Sequence, residues 1–164
     1  MKRGNLLVTT EKTLIPIDHG LCLPDVRELG EAWFEWLQWE QCKHALSKEE
    51  IDWVNVIDID RDANILNKLH VRPEAIMTLY VTTHFLKLAV RSGWTLFDIG
   101  SYMQRPNLDP QSRSGLELLI EKALSSSKEL EKTFYENPMS VSQEFIESFV
   151  AEVKKEMATS GKRR

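Results

Sequence analysis

Hydrophobic and polar positions divide the chain into two unequal parts. Over the first 17 residues, two short apolar runs, Leu6-Leu7-Val8-Thr9 and Thr13-Leu14-Ile15-Pro16-Ile17, flank the polar Thr10-Glu11-Lys12. This pattern predicts a β-hairpin. Pro16 lacks an N–H and so belongs on an edge or at a strand end. Asp18-His19-Gly20 follows, and beyond Pro24 the spacing turns helical, with few strand signals.

Several helix boundaries follow from local chemistry. Ser47-Lys48-Glu49-Glu50 reads as a capping box, in which the hydroxyl and the carboxylate each satisfy a free backbone N–H. Pro73 suits the first turn of a helix, where its missing N–H costs nothing. That helix carries Ile76, Leu79, Tyr80, Thr83, Leu86, Lys87 and Val90 at spacings of three and four, with Met77, Val81, Phe85, Leu88 and Ala89 between them. So wide an apolar surface predicts a central, buried helix, stopped at Gly93. Thr95-Leu96-Phe97-Asp98 opens a shorter helix through about Gln104. Pro106 to Ser114 reads as a loop. Two more helices are expected near 115–136 and 141–158, separated at Pro138, with Ser140 and Gln143 capping the second. The expected fold class is mainly α with a small β-hairpin (α+β), carrying five to seven helices. A lone hairpin is marginal and must pack on something.

Composition narrows the class. A chain of 164 residues suits one domain or a piece of one. Its 42% hydrophobic and 28% charged residues are those of a globular protein, not a disordered one. Lys plus Arg is 21 against 25 Asp plus Glu, a net charge of −4, so no nucleic-acid partner is expected. No apolar run approaches the roughly 20 residues of a membrane span. The N-terminal apolar run, Leu6-Leu7-Val8, is too short for a signal peptide. The expected location is cytoplasmic, with peripheral membrane contact allowed, neither secreted nor membrane-spanning. Cys22 and Cys42 are expected as reduced thiols outside any zinc pattern, with Cys22 a small buried apolar residue.

The residues that bear chemistry flank the hairpin. Asn5 precedes one strand and Asp18 follows its partner, so both side chains can emerge at the same end. An amide oxygen and a carboxylate converging there suit a hard cation such as Mg²⁺. Gly20 permits a sharp change of backbone direction. Kinases use this arrangement: a catalytic-loop Asn and the Asp of an Asp-X-Gly triplet hold the metals on ATP. Asn and Asp are equally at home as turn- or helix-capping residues, and spacing alone leaves both readings open.

The run Asp18-His19-Gly20-Leu21-Cys22-Leu23-Pro24, then Trp33-Phe34-Glu35-Trp36-Leu37-Gln38-Trp39, and later Ile99-Gly100-Ser101-Tyr102-Met103-Gln104-Arg105, resembles the phosphatidylinositol 3-/4-kinase family. Within it the likeness is to the gamma-type, type II-like phosphatidylinositol 4-kinases, and it covers roughly residues 4–105. The resemblance implies that Asn5 and Asp18 are metal ligands, that His19 and Gly20 complete the nucleotide-side triplet, and that ATP and Mg²⁺ (Mn²⁺ as the alternative ion) are the cofactors. It also implies an inositol lipid as acceptor, with a protein hydroxyl left open. The family's catalytic loop reads Asp-Arg-His-X-X-Asn. Counting back five from Asn5 falls before Met1, so no catalytic residue is assigned within the chain, and Met1 and Lys2 stand where the family has Arg and His. Glu40 replaces a usual Pro. The implied organisation is a catalytic-lobe fragment over 1–105, a helical extension of the same domain over 106–159, and a disordered tail over 160–164.

Other features have plainer readings. Trp33, Phe34, Trp36, Leu37 and Trp39 are expected in the core below the metal loop rather than on a membrane, where Glu35 and Glu40 would meet anionic lipid. Asp58-Ile59-Asp60-Arg61-Asp62 mimics a calcium loop. Ala63 stands where Gly is required and Leu69 where Glu is, so an acidic helix N-terminus is expected instead. His84 is expected as a satisfied buried histidine, and Ser125-Ser126-Ser127 as an ordinary helical serine run. The function the resemblance implies is ATP-dependent phosphoryl transfer to an inositol lipid, that of a phosphatidylinositol 4-kinase, with this chain alone inactive. The alternative is a non-catalytic, pseudokinase-like or helical protein-interaction module.

Overall fold

The computed structural model describes residues 6–17 and 22–160. Asn5, Asp18, His19 and Gly20, and the tail residues 161–164, lie outside them. Strands β1 (Leu6–Val8) and β2 (Leu14–Pro16) pair antiparallel, with Leu6 opposite Pro16, Leu7 opposite Ile15 and Val8 opposite Leu14. The connection is the expected Thr10-Glu11-Lys12. The Lys12 N–H donates to Thr9 O at 3.0 Å and the Thr9 N–H to Thr13 O at 2.9 Å, with Lys12 in the left-handed region at φ 63°. This is a three-residue hairpin loop ending in a left-handed residue. Leu7, Val8, Leu14 and Ile15 are all exposed.

Among the described residues everything else is helical or looped. Short 3₁₀ turns occupy Leu29–Glu31, Glu35–Gln38 and Glu40–Lys43. Helix α1 (Lys48–Asn55) begins with the expected Ser47/Glu50 capping box. Helix α2 (Ile59–Lys68) is capped by Asp58, which accepts from the Arg61 N–H, and it carries Asp60 and Asp62 in its first turn. The acidic stretch is thus a helix start, as expected. His70 (φ 57°) takes the left-handed position just past the end of α2, with the Val71 N–H reaching back to Leu66 O.

Helix α3 (Pro73–Arg91) is the central helix, with Ala75, Ile76, Met77, Val81, Phe85, Ala89 and Val90 buried. Gly93 at φ 79° ends it in a Schellman motif: the Trp94 N–H bonds Ala89 O and the Gly93 N–H bonds Val90 O, each at 3.0 Å. Helix α4 (Leu96–Met103) follows, then α5 (Gly115–Leu124), α6 (Lys128–Glu136) and α7 (Ser142–Ser160). One core joins them. Phe85 and Met77 of α3 and Leu116 and Leu119 of α5 meet Phe134 of α6 and Phe145, Phe149 and Val153 of α7. Removing this surface from water is the main force holding the helices together.

Four sequence expectations are corrected. The single helix expected over 115–136 is two, because the serine run ends one and starts the next. The Ser125 and Ser126 hydroxyls bond the carbonyls of Lys122 and Ala123, and Ser127 caps α6 by accepting from the Leu130 N–H. The Ser140/Gln143 cap does not form. Ser140 donates to Asn137 O within the 3₁₀ turn Pro138–Val141, and the Gln143 amide turns to Glu147. Ser160, expected in the tail, is the last residue of α7. Cys22 is exposed while Cys42 is buried, and the two form no disulfide. Burial raises the Cys42 thiol pKa.

Candidate functional site

The hairpin register fixes which end of the ribbon matters. Leu6 and Pro16 form its last described pair. Asn5 precedes the first by one residue in the chain and Asp18 follows the second by two. The four residues expected to bind metal and nucleotide, Asn5, Asp18, His19 and Gly20, are not themselves described. The structure describes what anchors the chain just beyond them.

That anchorage begins at Pro24. Its carbonyl accepts a 2.7 Å hydrogen bond from Thr78 Oγ1, a nearly fully buried residue of α3. Val26 and Leu29 enter the core at 2% and 7% exposure. Between them Arg27 donates to both carboxylate oxygens of Asp25 and, through Nη1, to Tyr135 O at the end of α6. These hydrogen bonds hold the Asp25 carboxyl below its ordinary range, against its own desolvation. The chain leaving the hairpin is therefore pinned to α3 and α6 within a few residues of Asp18.

The aromatic segment is the second anchorage, and here the core expectation is corrected. No residue of the block is fully buried: Trp33 is 47% exposed, and Phe34, Trp36, Leu37 and Trp39 are half-buried. Their short 3₁₀ turns lie over α4 and not inside the core formed by α3, α5, α6 and α7. Gly100 of α4 makes this approach possible: a Cβ there would fall 2.6 Å from Trp36 Cη2 and 2.7 Å from Leu37 Cδ2. The Phe34 N–H donates to Gln104 Oε1 at 2.7 Å, and the Phe34 and Trp36 rings lie 5.1 Å apart.

The third anchorage is Arg105. Its Nε and Nη2 grip Glu117 at 3.0 and 2.6 Å, and its Nη1 donates to Pro110 O at 2.8 Å. The guanidinium lies directly on Gly30, where a Cβ would stand 2.0 Å from Cζ. Glu117 in turn completes a capping box with Ser114 at the start of α5. Burial pushes the Glu117 carboxyl up, but the Arg105 guanidinium and the Ser114 N–H outweigh it and leave the carboxyl below its ordinary value. Neither this ion pair nor the Thr95/Asp98 capping box of α4 was among the sequence expectations. The second was visible as a Thr-X-X-Asp pattern; the first spans a loop and carries no local signal.

The structure thus brings the Trp33–Trp39 and Ile99–Arg105 segments, distant in sequence, into direct contact. His84, on α3, is half-buried with its pKa lowered by burial and by Lys87, against the pull of Asp60. Among the described residues no group of three or more His, Cys, Asp or Glu could hold a metal ion, and no helix is long and apolar enough to cross a membrane.

Comparison with known proteins matches this arrangement to a family. The family model described as phosphatidylinositol 3- and 4-kinase matches residues 2–99. Phosphatidylinositol 4-kinase gamma 1 of Arabidopsis thaliana is 44% identical over 125 residues, which is 74% of this chain and 22% of that protein. Phosphatidylinositol 4-kinase gamma 4 of Oryza sativa subsp. japonica is 32% identical over 161 residues, 93% of this chain and 28% of that protein. The chain therefore spans between a fifth and a third of the length of these curated relatives. No solved structure matches. The family match takes in the hairpin, the residues flanking it and α1 to α3, more than half of the chain, and the chain belongs to the phosphatidylinositol 3- and 4-kinase family.

Proposed function

We propose that this chain carries the metal-binding part of a kinase that transfers the ATP γ-phosphate to an inositol lipid, with phosphatidylinositol and its 4-hydroxyl as the acceptor. The observation that carries this reading is the hairpin register inside the family match: the last described pair, Leu6 opposite Pro16, adjoins in the chain the Asn and the Asp-His-Gly that the reading requires. The donor set fits the ion, since an amide oxygen and a carboxylate are hard ligands suited to Mg²⁺. Asn5 and Asp18 would hold it, with His19 and Gly20 forming the turn beside it. Bound there, Mg²⁺ neutralises charge developing on the phosphate oxygens. The chain's own contribution is positional: it fastens the residues after Asp18 at Pro24, Val26 and Leu29. Phosphoryl transfer depends almost entirely on such positioning and on charge stabilisation.

In this reading the chain by itself turns over little lipid. The names of the gamma-type relatives favour the 4-position; a protein hydroxyl is the competing acceptor. Work takes place at a membrane surface reached from the cytoplasm, without a membrane span. The test compares Mg-ATP binding and phosphatidylinositol phosphorylation for the longest natural form of the protein, with and without Asp18→Ala and Asn5→Ala. Circular dichroism verifies folding. Phosphorylation falling to background in both variants is the expected result. Undiminished phosphorylation in Asp18→Ala would overturn the metal assignment, and transfer to protein substrates alone would overturn the lipid acceptor.

A further inference from the structure

Helix α1 presents an apolar and an acidic character together. Leu46, Trp53 and Val54, with Leu96 at the start of α4, line an open cleft of about 440 Å³, and Glu49 and Glu50 share its lining. Val54 also packs on the core, but Trp53 is 71% exposed. Tryptophan contributes more to protein interfaces than almost any other residue, and here it stands largely in water.

The carboxylates say what would cover it. Glu50 Oε2 accepts from the Ser47 N–H and hydroxyl, and these bonds hold its carboxyl below the ordinary range, so it stays anionic. Among the described residues neither Glu49 nor Glu50 is paired with a Lys or Arg. An anionic membrane surface would press lipid phosphates against both. A segment of the opposite pattern, apolar on one side and flanked by Lys or Arg, meets the floor and the charges at once. With eight residues in α1, the cleft wall is about 12 Å long, room for two turns of a docked helix.

We propose that this cleft binds a short basic amphipathic helix of a partner protein, its apolar residues seated between Trp53 and Leu96 and its Lys or Arg side chains on Glu49 and Glu50. The interaction is small in area and therefore transient. It involves none of the residues assigned to phosphoryl transfer, so it stands or falls separately from that reading.

The probe is a synthetic helical peptide with Leu along one face and Lys along the other, compared with its counterpart bearing Glu for Lys. Both are titrated into the full chain and followed by amide NMR shifts and tryptophan fluorescence. Shifts centred on α1 and the start of α4, with binding of the Lys peptide only, are expected. Trp53→Ala should weaken that binding about tenfold or more. Trp33→Ala, at another exposed aromatic, should leave it unchanged. Glu49→Lys should weaken the Lys peptide and admit the Glu peptide. Both substituted side chains at the cleft are exposed, so the variants keep the fold, verified by circular dichroism. The proposal is overturned by equal binding of the two peptides, by shifts elsewhere, or by unchanged affinity in Trp53→Ala. Self-association, or binding to phosphatidylserine vesicles, that disappears in Trp53→Ala would assign the cleft to a second copy or to a membrane and overturn it equally.

Discussion

Replacing Arg105 by Met keeps most of the volume of its stem but strips Glu117 of its cation. In the folded protein the two side chains are only 17% and 11% exposed. Removing one partner of a fully buried pair costs about 3–5 kcal/mol, because the survivor is left charged and desolvated. Residual exposure and the 2.8 Å bond that Glu117 keeps from the Ser114 N–H reduce this to about 2–3 kcal/mol. For a chain of this size that loss lowers the melting temperature by about 4–12 °C. Urea and thermal unfolding at pH 7, followed by circular dichroism, measure it directly.

The same logic fixes the sign of a second variant. Arg105→Met combined with Glu117→Leu removes both charges and leaves no stranded carboxylate. It gives up the capping box, which costs about 1 kcal/mol. The double variant should therefore be more stable than Arg105→Met alone. Acid adds an independent reading. The folded Glu117 carboxyl lies below its ordinary value, so its contribution is present above about pH 4.5 and is lost as the pH falls through the folded value. In Arg105→Met this part of the acid sensitivity should shrink. A single variant within about 0.5 kcal/mol of the parent, the range of an ordinary surface change, would refute the claim that the pair anchors the fold. So would a double variant less stable than the single.

Two further outcomes test the packing around α3. The Tyr102 ring lies between Phe85 and Trp94, with centroids at 5.5 and 5.3 Å, and burial, helped by Glu156, pushes its hydroxyl up to about 12. Its contribution to stability is complete below pH 10 and is lost as the pH rises through about 12, so absorbance at alkaline pH should show a late phenolate component that Tyr102→Phe abolishes. Gly93→Ala should cost about 1 kcal/mol in urea unfolding for left-handed backbone alone, since a Cβ there meets nothing within 4 Å; a neutral result would contradict the Schellman geometry.

What could be read from the sequence was local. The Ser47/Glu50 box, Pro73 at the start of α3, Gly93 at its end and the hairpin turn at Thr10-Glu11-Lys12 each depend on a few neighbouring residues, and each stands in the structure as expected. The serine run between α5 and α6 was also local, yet its meaning depended on competition: three serines together tip the balance from continuing a helix to ending one. Burial was harder to read. Five large apolar residues between Trp33 and Trp39 read as core, but what buries them is α4, some sixty residues on, and it covers only one side. Cys22, read as buried, is exposed. Arg105 and Glu117 are individually ordinary surface residues, and only the loop between them makes a bidentate pair. The residues proposed as metal ligands are a different case, because Asn5 and Asp18 are read from chemistry and resemblance and not from packing.

Two of the three runs that carry the family likeness pack directly on one another. Gly100 receives Trp36 and Leu37, Gln104 accepts from the Phe34 N–H, and Arg105 closes over Gly30. Every one of these contacts falls on the segment between Gly30 and Leu37. That segment is the continuation of the chain that leaves the hairpin through Asp18, once it has been fixed at Pro24 and Val26. The Ile99–Arg105 run therefore acts as a clamp. Its small glycine, its amide and its guanidinium serve close approach and backbone or carboxylate recognition. In the proposed reading, oxygen ligands that must be placed closely depend on such a clamp as much as on their own chemistry. Substitutions at Gly100 or Arg105 would then reach the reaction only through the position of the chain that follows Asp18.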